Sequence, residues 1–371
     1  MTTFSRKSLF SSSPGTDREP QRLLLPTLHE RLLTADAERL QELLQSGPRA
    51  GNWVAELEAR TATLTGAAEV IAVSSAGAAL HLLLRSLGLQ SNDEVILPTF
   101  APIMLADVVR SFDAHPVLVD ALPDSVLVDP QMVREALTDR TRAILLIATG
   151  GLVPDLGELL EIAESQSCLL IEDAQAASPS VYRDPAASPL RPHPRHVQLF
   201  RHSDDQSSVL NGGALLCVND ETLASALRAE RCVPGGSLSG IGEDSLQKME
   251  EEDAAVREPS LRFDERMSEL AAAWSIVSLQ GANAAWRRRR QIGMSYSASF
   301  SSLLEVQPPS ESGHGRHCWC EYVLRLNLQH FRISRDDVVR RLKRRGIPAG
   351  VRCLPIHMHP WYQRMYLHSP D

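Results

Sequence analysis

Lysine is nearly missing from this chain. Lys7, Lys248 and Lys343 are the only three among its 38 basic residues. Arginine stays protonated, so an amine nucleophile is confined to those three positions. Long apolar runs are missing too. Ala143-Ile144-Leu145-Leu146-Ile147-Ala148 is strand-sized, far below the roughly 18–20 residues that cross a bilayer, so no membrane partner is expected. Positive charge is not in excess: the formal charge of −8 argues against a dedicated nucleic-acid binder. The arginine clusters, Arg287–Arg290 and Arg340-Arg341 with Lys343-Arg344-Arg345, sit in amphipathic helical patterns and read as solvated helix faces. The Ser-rich start, Met1 to Gly15, lacks an apolar signal core, so a cytoplasmic location is expected. Six scattered cysteines read as reduced thiols, two of them inside strand-like runs. His314, His317, Cys318 and Cys320 crowd together, but at no common zinc spacing, and no metal site is expected.

What the 371 residues do contain is 43% hydrophobic and 23% charged residues, enough for one large or two modest cores. Residues 1–23 read as a flexible arm. From Val70 the chain alternates short apolar strands with helices. Strands are expected at Val70–Val73, Asp93–Pro98, His115–Asp120, Thr141–Thr149, Cys168–Asp173, Gln198–Phe200 and Gly213–Val218. This alternation predicts an α/β fold with a mostly parallel central sheet covered by helices on both faces. Pro179–His196 breaks the pattern as an irregular loop. A long helix over Ser268–Phe300, a strand over Glu321–Leu326 and a helix over Arg335–Arg345 complete the reading. The expected division is a large domain over 24–290 and a small α/β domain over 291–371. Ligands of such sheets bind at the carboxyl ends of the strands, which directs attention to Ser74–Gly77, Pro98–Ile103, Ala148–Gly151 and Asp173–Ala177.

Several strings stand in a telling order: Val73-Ser74-Ser75-Ala76-Gly77-Ala78-Ala79-Leu80-His81, Asp93-Glu94-Val95-Ile96-Leu97-Pro98-Thr99-Phe100, and Ile171-Glu172-Asp173-Ala174-Gln175-Ala176. Asn211-Gly212-Gly213-Ala214, Phe263-Asp264-Glu265-Arg266-Met267-Ser268-Glu269 and Pro355-Ile356-His357 follow. Together they resemble the nucleotide-sugar aminotransferases of the DegT/StrS type, from about residue 24 to the end. The resemblance implies the fold-type-I architecture of pyridoxal phosphate (PLP) enzymes, and it places the end of the chain before the family's last strand and helix. It also implies a cofactor aldehyde carried on one lysine, an aspartate at the pyridinium nitrogen, and a helix N-terminus at the phosphate. Asp173 matches the aspartate. Ala76 and Gly77 stand in the phosphate turn, where the family has Gly-Thr, and Gln175 is displaced by one from the family's polar position. Counting eight back from Gly212 to the family's lysine reaches Asp204, with His202 two residues away. Pro102 replaces the stacking aromatic, Ala148 a histidine, and Asp264 the cross-subunit asparagine.

These replacements together imply that the chain is a degenerate member of the family, with no resident cofactor expected. PLP held covalently is not expected, while PLP or its amine form held without a covalent bond stays open. Two carboxylates in one cleft, Asp173 and Asp204, cannot both ionise cheaply, so one is protonated or a cation sits with them: an arginine, a metal ion or a ligand amine. His202, Asp204 and Asp205 form the candidate catalytic cluster, read against an ordinary solvated loop. His357 and Arg266 are candidate substrate contacts, Arg266 against the alternative of pairing with Asp264. His81 reads as a helix-face histidine. Three functions are weighed: a repurposed PLP-independent enzyme on a sugar or natural-product metabolite, a non-catalytic partner of an active aminotransferase, and a working transaminase using another lysine. A homodimer, or a heterodimer with an active paralogue, is expected.

Overall fold

The computed structural model describes residues 38, 40–42, 45, 52–122, 125–154, 156–174, 193–201, 213–232, 263–309, 317–351 and 353–366. The expected arm, Gln175, His202, Asp204, Asp205 and Lys248 lie outside them.

Seven strands form one sheet: β1 (Glu69–Val73), β2 (Glu94–Pro98), β3 (His115–Val119), β4 (Thr141–Ile147), β5 (Leu169–Asp173), β6 (His196–Arg201) and β7 (Ala214–Val218). Their order is β1-β7-β6-β5-β4-β2-β3. The five strands from β6 to β3 run parallel, and β7 is antiparallel to both β6 and β1. All seven expected strands of the sheet are present, with ends shifted by one or two residues. The largest extension is at β6, which continues past Phe200 to Arg201.

The helices follow from local signals. Ser75 caps α2 (Ala76–Ser86) by accepting the Ala78 N–H at 3.1 Å. Asp129 caps α4 (Pro130–Ala136), whose proline occupies the first turn, where its missing N–H costs nothing. Helices α1 (Trp53–Thr65), α3 (Ile103–Arg110), α5 (Leu156–Ser165) and α6 (Glu221–Glu230) complete the large layer structure. One sheet face packs Leu80 and Leu83 of α2, Leu105 and Val109 of α3, and Leu227 of α6 against Ile71, Leu97, Leu145, Ile171 and Leu199. The opposite face takes Val133 of α4 and Leu159 and Ile162 of α5. Burial on both sides explains why the strands read as continuous apolar runs.

Helix α7 runs unbroken from Glu269 to Phe300, capped by Ser268, and so carries the chain through residue 290. The C-terminal part is smaller: strands β8 (Val306–Gln307) and β9 (Arg325–Leu326), then helices α8 (Arg335–Arg344) and α9 (Pro360–Tyr366). The strand expected over Glu321–Leu326 is cut to its last two residues. The preceding segment docks instead on the turn after β4: the Cys318 N–H donates to Gly151 O and the Glu321 N–H to Gly150 O. Among the described residues, no helix is long and apolar enough to cross a membrane.

Two glycines are required by close approach. Gly213 has φ +76°, and a Cβ there would fall 2.4 Å from Val73 O. Gly293, on α7, lies against the Trp319 indole, with a Cβ 2.3 Å from Cε3. That indole is stacked between His317 (4.2 Å) and Tyr322 (5.8 Å) and cannot swing away. Alanine gains about 1 kcal/mol over glycine inside a helix, whereas overpacking a fixed ring costs about 1–3 kcal/mol. Gly293→Ala is therefore expected to destabilise the chain by up to about 2 kcal/mol net in urea unfolding. An unchanged or raised midpoint would contradict this packing.

Candidate functional site at the carboxyl edge of the sheet

Three structural features converge where β1, β2, β4, β5 and β6 end. Helix α2 begins there, the loop Phe263–Ser268 crosses there, and the C-terminal tail straps over the end of β2. Asp173 is the last residue of β5 and only 1% exposed. It shares a face with Ile171, and its register partner Leu199 shares that face with Arg201. Arg201 Nη2 donates to Asp173 Oδ2 at 2.5 Å. A buried carboxylate needs a counter-charge, and this one has a guanidinium from the neighbouring strand. The counter-charge of Asp173 is thus an arginine of the same sheet, while Asp204, the second carboxylate of the expected cleft, lies outside the described residues.

Ala76 and Gly77 form the first turn of α2, on the same sheet face. Ala76 is buried, and the Ser75 hydroxyl already takes the Ala78 N–H. Ala148 caps the turn after β4, and its N–H donates to Asp173 O. Pro102 starts α3. Arg266 bridges to Val73 and pairs with Asp264 by two bonds, Nε to Oδ1 at 2.9 Å and Nη2 to Oδ2 at 2.7 Å. Both are substantially exposed. Their hydrogen bonding holds the Asp264 carboxyl down at about 2 and pushes the Arg266 guanidinium further up. Of the two roles open to Arg266, pairing with Asp264 is the one observed.

His357 bonds through Nδ1 to the Thr99 hydroxyl, and the neighbouring Ile356 N–H donates to Thr99 O at 2.9 Å. Buried Tyr362 anchors the strap by donating its hydroxyl hydrogen to Asp107 Oδ1 at 3.0 Å. His357 thus stands at the end of β2, held by Thr99, the residue that follows that strand. His81 lies on α2 and bonds through Nδ1 to Glu265 Oε1 at 2.7 Å, and Arg85 donates to Glu265 Oε2 at 3.2 Å. Glu265, 3% exposed, fastens the crossing loop to α2 and was not singled out in the sequence. Arg201 was also missed, although extending the strand's alternation by one residue places it beside Asp173. Among the described residues, no group of three or more His, Cys, Asp or Glu could hold a metal ion. Lys343 is exposed on α8.

These contacts do not fit PLP held in the manner the resemblance implies. The carboxylate assigned to the pyridinium nitrogen is engaged by Arg201, a proline stands where a ring would stack, and the loop that should offer an amide to phosphate offers a carboxylate tied to its own arginine.

The sheet order, the helix starting after β1 and the strap over β2 define an aminotransferase-like fold. The family model described as the DegT/DnrJ/EryC1/StrS aminotransferase family matches residues 31–371, and the chain belongs to that family. The spore coat polysaccharide biosynthesis protein SpsC of Bacillus subtilis is 26% identical over 336 residues, 89% of this chain and 83% of SpsC. Among solved structures, DesV of S. venezuelae, in complex with a ketimine intermediate, is 24% identical, with 92% of this chain and 85% of DesV covered and a TM-score of 0.73. DesI, solved in the presence of its TDP-sugar product, is 25% identical, with 89% and 79% covered and a TM-score of 0.71. The central sheet and fold-type-I architecture expected from the sequence are those of these neighbours.

Two predictions follow from the ion pairs. Arg201→Gln alone is expected to cost about 3 kcal/mol or more in urea unfolding, because it strands a buried charge. Adding Asp173→Asn should recover about 1–3 kcal/mol of that, and strictly additive losses would refute the pairing. By NMR titration, the Asp264 carboxyl should titrate near 2 and return toward its ordinary 3.8 in Arg266→Ala. Because its pKa is depressed, the pair's contribution is present above pH 3.8 and lost as the pH falls through about 2. Exposure keeps that contribution small.

Proposed function

We propose that this chain has left Schiff-base amino transfer and serves sugar or natural-product biosynthesis as a non-catalytic partner of an active aminotransferase. The observation that carries this reading is the Asp173–Arg201 ion pair: the carboxylate that would bind a pyridinium is neutralised from within. The Asp264–Arg266 pair supports it, since a second charged position of the site is satisfied by the chain itself. The scarcity of lysine supports it as well: no lysine lies between Lys7 and Lys248. The sugar setting rests on relatives named for polysaccharide biosynthesis and for a TDP-sugar product. In this reading the retained sheet, crossing loop and strap preserve the shape of a subunit that pairs with an active paralogue, with a sugar-type ligand as small-molecule partner.

A second reading, a repurposed PLP-independent enzyme, is favoured by the polar run His202-Ser203-Asp204-Asp205, which follows β6 in the sequence. His202, Asp204 and Asp205 would be its acid–base groups. Native mass spectrometry on the full chain from its own host separates the readings. The expected result is the bare chain in complex with a second, aminotransferase-like chain. A homodimer that converts a sugar substrate without PLP, and fails to in His202→Ala or Asp204→Ala, would install the second reading. A borohydride-stable PLP adduct on Lys248 or Lys343 would sink both.

A further inference from the structure

The C-terminal part presents a surface that it does not cover itself. Among the described residues within 320–355, none is buried. Helix α8 lies in that stretch, and its apolar residues Val338, Val339 and Leu342 are only half-buried. Ten residues make a marginal helix on their own, because helices in proteins draw most of their stability from an apolar face packed on a neighbour. The Ile347 N–H donates to Leu342 O at 3.0 Å, which sets Ile347 beside the last turn, and its side chain is exposed.

The charge around this apolar stripe has one sign. The acidic residues of α8, Asp336 and Asp337, stand in its first turn and are taken by Arg335 at 3.1 Å and Arg340 at 2.6 Å. Arg341, Lys343, Arg344 and Arg345 follow, all exposed. Among the described residues, none of these four has a carboxylate within ion-pair distance. Successive helical residues turn by about 100°, so Arg341 and Lys343 stand on either side of Leu342. The whole chain carries −8, which makes this a local positive patch on an acidic molecule.

We propose that the α8 face docks an acidic, amphipathic segment of another protein, its apolar side chains against Leu342 and Ile347 and its carboxylates against the four cations. Guanidinium forks match carboxylates through paired N–H donors. Other polyanions fit the face less well. Single-stranded nucleic acid stacks its bases on aromatic rings, and a bilayer interface takes Trp or Phe anchors, whereas residues 334–351 contain no aromatic side chain. The overall negative charge also repels an extended anionic polymer or surface more than a short segment that touches only the patch. The surface lies apart from the sheet edge, and it stands whether or not the partner is an aminotransferase.

Fluorescence anisotropy of the full chain with a labelled helical peptide of about 15 residues, leucine at every third or fourth position and glutamate elsewhere, tests it. The expected result is saturable binding that weakens as salt is raised, and that falls at least about tenfold in Arg341→Glu with Lys343→Glu. Ile347→Ser should weaken it as well, which a purely ionic attraction would not show. Binding should be unchanged in Arg134→Gln, which removes an exposed guanidinium of α4 paired with Glu158. Should the charge reversal disturb α8, Arg341→Gln with Lys343→Gln decides: weakened binding supports the surface and unchanged binding overturns it. Absence of saturable binding by the wild type, full affinity in Ile347→Ser, or tighter binding of phosphatidylserine vesicles or of a single-stranded oligonucleotide than of the peptide also overturns the assignment.

Discussion

A carboxylate that is 1% exposed at the end of a sheet strand cannot stand alone, and the architecture around Asp173 depends on how that charge is met. Taking an ion from water costs several kcal/mol, and only a counter-ion with good geometry offsets it. Parallel strands provide one cheaply. Residues on one face of neighbouring strands lie side by side, so a cation two positions beyond the register partner of Asp173 reaches it without any loop rearrangement. Arg201 is that cation. The pairing is built into the sheet register, and it costs no ordering beyond what β6 already imposes.

The same economy recurs at the other charged positions of this edge. Asp264 and Arg266 are two residues apart in one loop and satisfy each other. Glu265, between them, faces the opposite way and is consumed by His81 and Arg85 of α2. Alternation along one extended segment thus separates a structural carboxylate, buried and essential to docking the loop, from an exposed pair. Thr99 and His357 close the fourth corner by joining the strap to the end of β2. The scaffold that carries a ligand site in this family is intact, while its charges point at one another.

Much of this was legible in the sequence, because burial on both faces writes each strand as a compact apolar run and because serine and aspartate caps announce the helices. Asp173 is legible because it ends such a run, whereas Asp264 comes into view through the family resemblance and its pairing with Arg266 is one of two readings the sequence leaves open. Arg201 is not legible. The apolar pattern ends at Phe200, and a charged residue at the end of an apolar run looks like the start of a loop. Only the register with β5 reveals that it continues the face of Val197 and Leu199. Glu265 escaped for a related reason, since its partners on α2 lie some 180 residues away, and no local pattern encodes that contact. The short β9 was overextended because Trp319, at φ +56°, turns the chain onto the β4 turn, a choice made by Gly151 and Gly293 rather than by the strand's own residues.

The distribution of satisfied and unsatisfied charge then bears on what the molecule is for. A site kept for catalysis holds its reactive groups in reserve, with pKa values and hydrogen bonds waiting on a substrate. At the sheet edge Asp173, Asp264 and Glu265 each have an arginine of this chain as partner. An arginine cannot give up its proton to make such a pair reactive. Arginine supplies 35 of the 38 basic residues, and a guanidinium paired with a carboxylate holds charge in place without giving up its proton. The proposed partner role rests on these pairs, formed by the same register and loop alternation that fold the sheet edge.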